Sequence, residues 1–256
     1  MDIMAMPTQG TQMIDRTVSL IRLVATYCPK GARLTDLAEE SGLPAPTVRR
    51  ILKRLVDHGM IEQDLCQHRY SLGRLAVEFG LCAHHVTSQT ARYRPMIEEI
   101  SKVTGDTIFL LMRSGLDCIC ADRVDGAEGD KGATLRIGDR LPLGVGVGGM
   151  ALLAALPVDE AERIVEANRP VYRRFARTTG SSFDDHLRSA RADGHVIRRS
   201  PVTPGIVGFG MTLPGQGGVP TMAISGATEA VKFTEPRRTQ TLKLMREMVD
   251  RHSAGC

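Results

Sequence analysis

The sequence predicts an α+β protein of two domains, an N-terminal winged helix-turn-helix and a C-terminal antiparallel or mixed sheet covered by helices. Three observations predict it. The chain has 256 residues, more than one domain usually needs. Three helices and a hairpin fit within residues 13–72, and helices alternate with adjacent hairpins beyond residue 91. We expect a flexible tail at 1–10, the winged helix-turn-helix at 11–73, a linker helix at 74–90 and the second domain at 91–254.

The first two helices are predicted from apolar spacing and a capping residue. Ile14, Val18, Ile21 and Val24 or Ala25 share one face of a helix over residues 13–27. A very short second helix follows. Its predicted N-cap is Thr35, since a hydroxyl at this position accepts a bond from a backbone N–H of the first turn.

The stretch SGLPAPTVRRILKRLVDHG, residues 41–59, predicts a third helix with two unlike faces. Its apolar residues recur at helical spacing and form one buried stripe: Val48, Ile51, Leu52, Leu55 and Val56. Pro44 and Pro46 fall in the first turn, where a missing N–H costs little. The outward face carries four cations and one late acid: Arg49, Arg50, Lys53, Arg54 and Asp57.

The remaining elements are predicted from hairpin signals and from glycine stops. Residues 60–72 form two short strands with a polar tip, which complete the winged helix-turn-helix, and a helix follows from Arg74 to about His85. The second domain has predicted helices at 92–104, 149–156, 158–168, 183–194 and 235–251, and predicted strands at 107–113, 117–124, 134–144, 205–213 and 219–227.

Composition excludes some classes of protein. No apolar run reaches the roughly 18 residues of a membrane helix, and the N-terminus lacks the pattern of a signal peptide. The six cysteines are scattered, which suits a reducing compartment. We therefore expect a cytoplasmic protein with no membrane partner. The net charge of +4 decides nothing by itself, because nucleic-acid affinity depends on where cations cluster.

The cationic third helix predicts binding to double-stranded DNA. In a helix-turn-helix the second helix of the pair enters the major groove. Arginine can bind guanine O6 and N7 together, and Lys or Arg elsewhere neutralises phosphates. The alternative is that these four cations form an ordinary solvated face. Their position directly after a short helix and a turn favours DNA.

Motifs in both halves resemble the IclR family of bacterial transcriptional regulators. They are LTDLAEESGLPAPTVRRILKRLVDHGMIEQD, RYSLG, LPLGVGVGGMALLAAL and GHVIRRSPVTPGIVGFGMTL, and the resemblance runs from about Ile14 to Val249. It implies a homodimeric or homotetrameric regulator with a GAF-like C-terminal domain that binds a small effector, without a cofactor. The residues expected to contact operator DNA are Thr35, Pro46, Thr47, Arg49, Arg50, Lys53, Arg54 and Arg69.

The chain departs from the family pattern at the effector site. At the family's histidine, lysine, acid, cysteine and first serine it has Gly144, Met150, Arg198, Gly208 and Ala223, and only Ser225 of the two serines remains. The glycines predict a larger and less polar pocket. The residues expected to contact the effector are Val147, Gly148, Gly149, Arg198, Gly208 and Ser225.

The charge of Arg198 suggests the class of effector. If this side chain points inward, it can pair with a carboxylate, assisted by backbone amides at a helix start near Val147 to Gly149. We therefore expect an aromatic or branched carboxylic acid. The alternative is that Arg198 is a surface residue of the basic strand IRRS.

Other signals are weaker. Gly144, Gly146 and Gly149 satisfy G-x-G-x-x-G, but outside a βαβ unit they predict a loop before a helix rather than a dinucleotide site. Cys118 and Cys120 share a strand face, which suits a metal site, a thiol sensor or two buried hydrophobes. No catalytic motif or metal site is recognised, so we expect a regulator. An enzyme or ligand-binding protein with a DNA-binding appendage, and an architectural DNA-binding protein without an effector, stay open.

Overall fold

The computed structural model describes residues 11–127, 135–175, 183–200, 203–215 and 218–253. The predicted tail at 1–10 lies outside these residues. The chain forms two compact units, residues 1–87 and 88–256. Within the described residues, no helix is both long and apolar enough to cross a membrane.

The first unit has the predicted winged helix-turn-helix. Its elements are α1 (Gln12–Thr26), β1 (Ala32–Arg33), α2 (Leu34–Ser41), α3 (Ala45–Asp57), β2 (Ile61–Asp64), β3 (Arg69–Leu72) and α4 (Arg74–Cys82). The hairpin of β2 and β3 gains a third strand, because β1 pairs antiparallel with β3. A two-residue strand leaves no periodicity in the sequence, which explains why β1 was not predicted.

One local prediction for α2 is wrong, and one for α1 is only partly confirmed. The helix α2 begins at Leu34, so Thr35 lies inside it and is not its N-cap. The carboxylate of Asp36 instead accepts the Arg33 backbone N–H, at 3.4 Å. Of the predicted stripe of α1, Val24 is buried and Ile21 is half-buried, but Ile14 and Val18 are 62% and 40% exposed, and Leu20 is buried as well. The apolar residues of α1 lie on more than one face, and packing buries only part of the predicted stripe.

The buried stripe of α3 is confirmed, and it fixes which residues face outward. Val48 and Leu52 are fully buried and Ile51 is nearly so, in one cluster with Leu20 and Leu37 of the two preceding helices. Burying three such side chains contributes several kcal/mol of hydrophobic stabilisation. Because this stripe faces the core, the arginines and the lysine of α3 must face away from it.

The second unit is a six-stranded sheet with helices on both faces. Its elements are α5 (His84–Thr104), β4 (Thr107–Ser114), β5 (Asp117–Val124), β6 (Arg140–Pro142), α6 (Val147–Ala154), α7 (Val158–Phe175), α8 (Phe183–Asp193), β7 (Val196–Arg199), β8 (Ile206–Thr212), β9 (Met222–Glu229) and α9 (Glu235–Ser253). The strand order is β6-β5-β4-β9-β8-β7, and every neighbouring pair is antiparallel. The predicted α+β class is confirmed.

Several boundaries differ from the prediction. A linker helix was expected to end before a separate helix at 92–104, but α4 ends at Cys82 and α5 is continuous from His84 to Thr104. No glycine or proline lies between 84 and 91 to stop a helix, and Pro95 is accommodated inside α5. The strand expected at 134–144 is only Arg140–Pro142. The helix predicted at 158–168 continues to Phe175.

The two faces of the sheet bury different clusters. On one face, side chains of α5 and α9 pack against strand residues such as Ile108 and Phe209. On the other face, α6, α7 and α8 cover residues such as Leu111 and Cys118. Strand residues alternate between faces, so Gly208, next to Phe209, faces α6. The predicted effector residues therefore lie on the α6 face.

Candidate functional site

The outward face of α3 presents three cations that make no ion pair. Arg49, Arg50 and Lys53 are exposed, and in the described part of the chain no carboxylate lies within salt-bridge distance of them. Arg54 is also exposed, but its Nη1 lies 3.0 Å from Oδ2 of Asp57. Three of the four cations are thus unneutralised on one side of the helix.

The start of α3 is set by the turn before it. Gly42 ends α2 at a φ of 65°, a left-handed conformation that favours glycine. Pro44 is the N-cap, and its carbonyl oxygen accepts the backbone N–H of Thr47, at 2.8 Å. Pro46 is exposed and Thr47 is half-buried. Both residues lie in the first turn of α3, beside Arg49.

The two remaining residues of the predicted DNA-binding set lie outside α3. Thr35 is exposed in the first turn of α2, and its hydroxyl donates to Oδ1 of Asp36, at 3.2 Å. Arg69 lies on β3 and is half-buried, with Nη1 donating to the carbonyl oxygen of Gly31, at 2.7 Å. This arginine therefore ties the hairpin to the segment before β1.

The predicted effector residues gather around the start of α6. Gly144 and Gly146 have φ values of 91° and 71°, and Gly146 is the N-cap of α6. Their positive φ values turn the chain from the β6 edge into the helix. The backbone N–H groups of residues 147–149 lie in the first turn of α6. Unlike later N–H groups, they have no carbonyl oxygen one turn earlier in the helix to which they could donate.

The glycines of this site do not enlarge a cavity, contrary to the prediction. A Cβ at Gly208 would lie 2.9 Å from Cγ1 of Val147, and one at Gly148 would lie 2.2 Å from Cδ1 of Leu111. Neighbouring side chains fill the space that each glycine leaves. Glycine at these positions allows α6 to approach the sheet closely.

Ser225 and Arg198 complete the predicted set. Ser225, on β9, is 5% exposed, and its Cβ would lie 3.4 Å from a Cβ at Gly148. Arg198, on β7, is paired with Gly208 in the sheet. The Nη1 of Arg198 lies 3.5 Å from the carbonyl oxygen of Gly144, at the limit of a hydrogen bond. The structure thus brings Arg198 to the loop before α6.

The guanidinium of Arg198 is poorly satisfied. Its Nε is buried, and among the described residues it has no hydrogen-bond partner. Burial lowers the pKa of Arg198 from its ordinary value, because a charged group is less stable away from water. An anion placed beside this guanidinium would accept a hydrogen bond from Nε and would also stabilise the buried positive charge.

Three nearby side chains were not predicted from the sequence. The hydroxyl of Tyr172, on α7, donates to the carbonyl oxygen of Leu143, and burial raises the pKa of Tyr172 to about 12. Phe183, on α8, stacks on Tyr172 with centroids 4.5 Å apart. Burial and then the charge of Arg198 lower the pKa of His186. All three come from helices far along the chain from Gly144, so no spacing could reveal them.

The weaker sequence signals are explained by packing. Cys118 and Cys120 are each 1% exposed, and burial raises the pKa of both thiols to about 12. They therefore stay protonated at neutral pH and pack as small hydrophobes. The described residues contain no group of three potential metal ligands. The motif at Gly144 follows an antiparallel edge strand, which excludes the βαβ unit of a dinucleotide site.

Known proteins resemble the chain in both units. A family model described as "Bacterial transcriptional regulator IclR C-terminal" matches residues 83–254, and one described as "IclR helix-turn-helix domain" matches residues 13–65. The HTH-type transcriptional regulator Rv1719 of Mycobacterium tuberculosis is 28% identical over 228 residues, covering 88% of this chain and 85% of that protein.

Solved structures share the fold. An IclR transcriptional regulator from Alicyclobacillus acidocaldarius has a TM-score of 0.75 at 18% identity, covering 94% of this chain and 97% of that one. An IclR homologue from Microbacterium hydrocarbonoxydans, complexed with 4-hydroxybenzoate, has a TM-score of 0.71 at 18% identity, covering 93% of this chain and 96% of that one. At this identity the likeness concerns the fold alone.

Proposed function

Because the chain belongs to the IclR family of bacterial transcriptional regulators, we propose that it binds an operator sequence-specifically and that an organic carboxylic acid modulates this binding. The family supplies a helix-turn-helix that binds DNA and a C-terminal domain that binds a ligand. Its curated relatives are transcriptional regulators rather than enzymes. The observation that carries the proposal is the unpaired cationic face of α3.

In this proposal the exposed face of α3 enters the major groove. Arg49 and Arg50 lie nearest the N-terminal end of the helix, so they reach base edges, where a guanidinium can bind guanine at two points. Lys53, one turn later, neutralises a phosphate. Pro46 and Thr47, in the first turn, fit against the groove wall.

The other predicted contacts have supporting roles. Arg54 must share its charge with Asp57, so its attraction for a phosphate is weaker than that of an unpaired arginine. The exposed hydroxyl of Thr35 would exchange its bond to Asp36 for one to a phosphate oxygen. Arg69, bonded to Gly31, orients the hairpin as well as adding positive charge beside the backbone.

Fluorescence anisotropy with DNA from upstream of the chain's own coding sequence tests the proposal. The wild-type protein should bind this DNA in the presence of competitor, and Arg49→Ala with Arg50→Ala should remove its preference over scrambled DNA. Arg22→Ala is the matched control, since it removes an exposed arginine from α1. Equal binding of the wild-type protein to both DNAs would contradict sequence-specific recognition.

The carboxylate class of the effector rests on Arg198. Its guanidinium has a buried Nε without a partner in the described residues, and Nη1 makes only a long contact with Gly144. A carboxylate at this point accepts from the guanidinium and from the amides of residues 147–149, where the helix dipole also favours an anion. Gly148, Gly149, Gly208 and Ser225 lie where α6 packs on the sheet, close to these amides. A fold neighbour is complexed with 4-hydroxybenzoate, a carboxylate, which agrees with the proposed class of effector.

The proposed regulator acts as a homodimer or homotetramer in the cytoplasm. A helix-turn-helix dimer places its two recognition helices about one turn of DNA apart, which doubles the contacts and sets the operator spacing. The effector changes DNA affinity only if it binds two arrangements of the protein with different affinity. Neither DNA binding nor effector binding requires a cofactor in this proposal.

A further inference from the structure

We infer that Arg33, on the edge strand β1, donates directly to a DNA phosphate, whereas Arg69 of the hairpin adds its charge only at a distance. The inference rests on the proposed binding of operator DNA, and it adds a contact outside α3. It also predicts the path of the DNA backbone, which passes along the β1 edge of the three-stranded sheet and not over the tip of the hairpin.

Arg33 lies where the sheet leads into the helix-turn-helix. It is the last residue of β1 and the N-cap of α2, the first helix of the pair. In a helix-turn-helix the first helix crosses the DNA backbone while the second enters the major groove. Ala32 is buried and Arg33 is exposed, so the arginine points to the outer face of the sheet. Its position is therefore close to where a phosphate is expected.

The guanidinium of Arg33 has no counter-ion among the residues that the structure describes. No carboxylate in this part of the chain lies within salt-bridge distance of it. The acid nearest in sequence is Asp36, whose two carboxylate oxygens accept the backbone N–H of Arg33, at 3.4 Å, and the hydroxyl of Thr35, at 3.2 Å. The planar guanidinium binds phosphate well, and here its charge is available to an external one.

Arg69 is directly opposite Arg33, but its guanidinium is already bonded. The two residues are paired between β1 and β3, so their side chains share one face of the sheet. Arg69 is half-buried, and its Nη1 donates to the carbonyl oxygen of Gly31, at 2.7 Å. On its other side, in β2, it is paired with the acid Asp64. A phosphate beside Arg69 would also meet this negative charge, which weakens the attraction.

The outer face of the sheet is divided by charge. Glu62 and Asp64 are exposed on β2, whereas Arg33 lies on β1 at the opposite edge. At the tip, Oδ1 of Asp64 accepts two backbone N–H groups of the turn, at 2.8 and 2.9 Å, and residues 64–68 include no lysine or arginine. Carboxylates repel phosphates, so the β2 edge and the tip disfavour the DNA backbone while the β1 edge attracts it.

The salt dependence of DNA binding by the full chain tests the inference. Each phosphate contact contributes about 0.9 to the slope of log affinity against log salt concentration on B-DNA, and Arg33→Ala should reduce the slope by that amount. The ratio of wild-type to variant affinity should therefore grow roughly eightfold for each tenfold drop in salt concentration. The loss should be equal on upstream and scrambled DNA, because a phosphate contact carries no sequence information.

Three further variants separate this contact from other effects. Arg33→Lys keeps the positive charge and should retain most of the slope. Arg69→Ala should reduce the slope by less than Arg33→Ala does, because its charge acts at a distance. Arg22→Ala is the matched control, since it removes an exposed arginine of α1, and its slope should equal that of the wild-type protein. Thermal melts check that each variant folds, and if Arg69→Ala does not, the variants of Arg33 and Arg22 decide the question.

An unchanged slope in Arg33→Ala would overturn the inference, as would an equal or larger reduction in folded Arg69→Ala. A loss confined to the upstream DNA would contradict it too, since Arg33 would then read a base. These outcomes leave the proposed operator binding standing, which is tested separately by Arg49→Ala with Arg50→Ala. If the wild-type protein binds neither DNA, both the inference and the proposed function are overturned.

Discussion

Arginines in the two units differ in whether they pair with a carboxylate. In the second unit, Arg237 lies 2.7 Å from the carboxylate of Asp106, and Arg94 lies 2.8 Å from that of Asp122. On α3 of the first unit, Arg49 and Arg50 have no carboxylate partner among the described residues. An arginine that is paired and half-buried stabilises the fold, whereas one left unpaired on an exposed helix is available to an external anion.

Arg198 is the informative exception in the second unit. It is half-buried like the structural arginines, but no carboxylate pairs with it in the described residues. Leaving a buried charge without a counter-ion costs stability, and such costs concentrate at binding sites. The comparison therefore supports the proposals that Arg198 binds an anionic ligand and that the α3 cations bind DNA.

The largest predicted effect is on folding. Arg237→Ala should lower the free energy of unfolding of the second unit by about 3 kcal/mol, because it leaves the buried Asp106 carboxylate without the arginine that pairs with it. Burial already raises the pKa of Asp106, and the charge of Arg237 opposes that rise. Urea denaturation followed by circular dichroism measures the loss. The control Arg238→Ala alters an exposed pair with Glu235 and should cost under about 1 kcal/mol. Equal losses would show that Arg237 has no special structural role.

The next largest predicted effect is on DNA binding, and it distinguishes Arg50 from Arg54 on α3. Arg50→Ala should weaken specific DNA binding by about 1–3 kcal/mol if it reads a base, and should mainly flatten the salt dependence if it contacts phosphate. Arg54→Ala should cost under about 1 kcal/mol, since Asp57 already neutralises part of its charge. Anisotropy titrations at several salt concentrations measure both. A larger loss for Arg54 would reverse the assignment, and no change for Arg50 would place it outside the interface.

A smaller effect distinguishes Arg198 from Arg237. Arg198→Met should leave the thermal stability of the second unit unchanged or raise it by about 1 kcal/mol, because it removes a poorly satisfied buried charge. The same variant should lose its preference for benzoate over benzamide. Thermal melts and calorimetry measure the two properties. Strong destabilisation with benzoate binding intact would make Arg198 a structural arginine.

The smallest effect concerns pH. Burial and the charge of Arg198 lower the pKa of His186 below its ordinary 6.5, while Asp185 opposes this. The unfolded chain therefore binds a proton at higher pH than the folded one. Stability is complete above pH 6.5 and falls as the pH drops towards the lowered value. His186→Gln should lose less stability than the wild-type protein between about pH 7.5 and 5.5, by under about 1 kcal/mol. An identical pH dependence in thermal melts would contradict this.

Local signals in the sequence predicted most of the fold. The spacing in α3 identified its buried stripe, and the glycines at 42, 59, 105 and 194, all with positive φ, marked where helices end. Prediction failed where local signals were weak or ambiguous. No glycine or proline marks the break between α4 and α5 at Ala83. In α1 the apolar residues lie on more than one face, and tertiary packing decides which of them are buried.

The two candidate sites also differ in how far the sequence could predict them. The cations of α3 were predictable because one helix carries them all. Arg198 was identified only as a departure from the family pattern, and the structure was needed to bring it to Gly144. Phe183 and Tyr172 reach Gly144 through helix packing. The space beside the glycines of the site is filled by neighbouring side chains such as Val147. Long-range contacts of this kind leave no periodicity in a single sequence.

The central claim is that a carboxylate bound in the second unit changes how the first unit binds DNA. Anisotropy titrations of the upstream DNA, with and without saturating benzoate, test it most directly in the wild-type protein and in Arg198→Met. We predict that benzoate shifts the wild-type DNA affinity by about fivefold or more and leaves that of Arg198→Met unchanged. An unchanged wild-type affinity, with calorimetry showing that benzoate is bound, would contradict the claim.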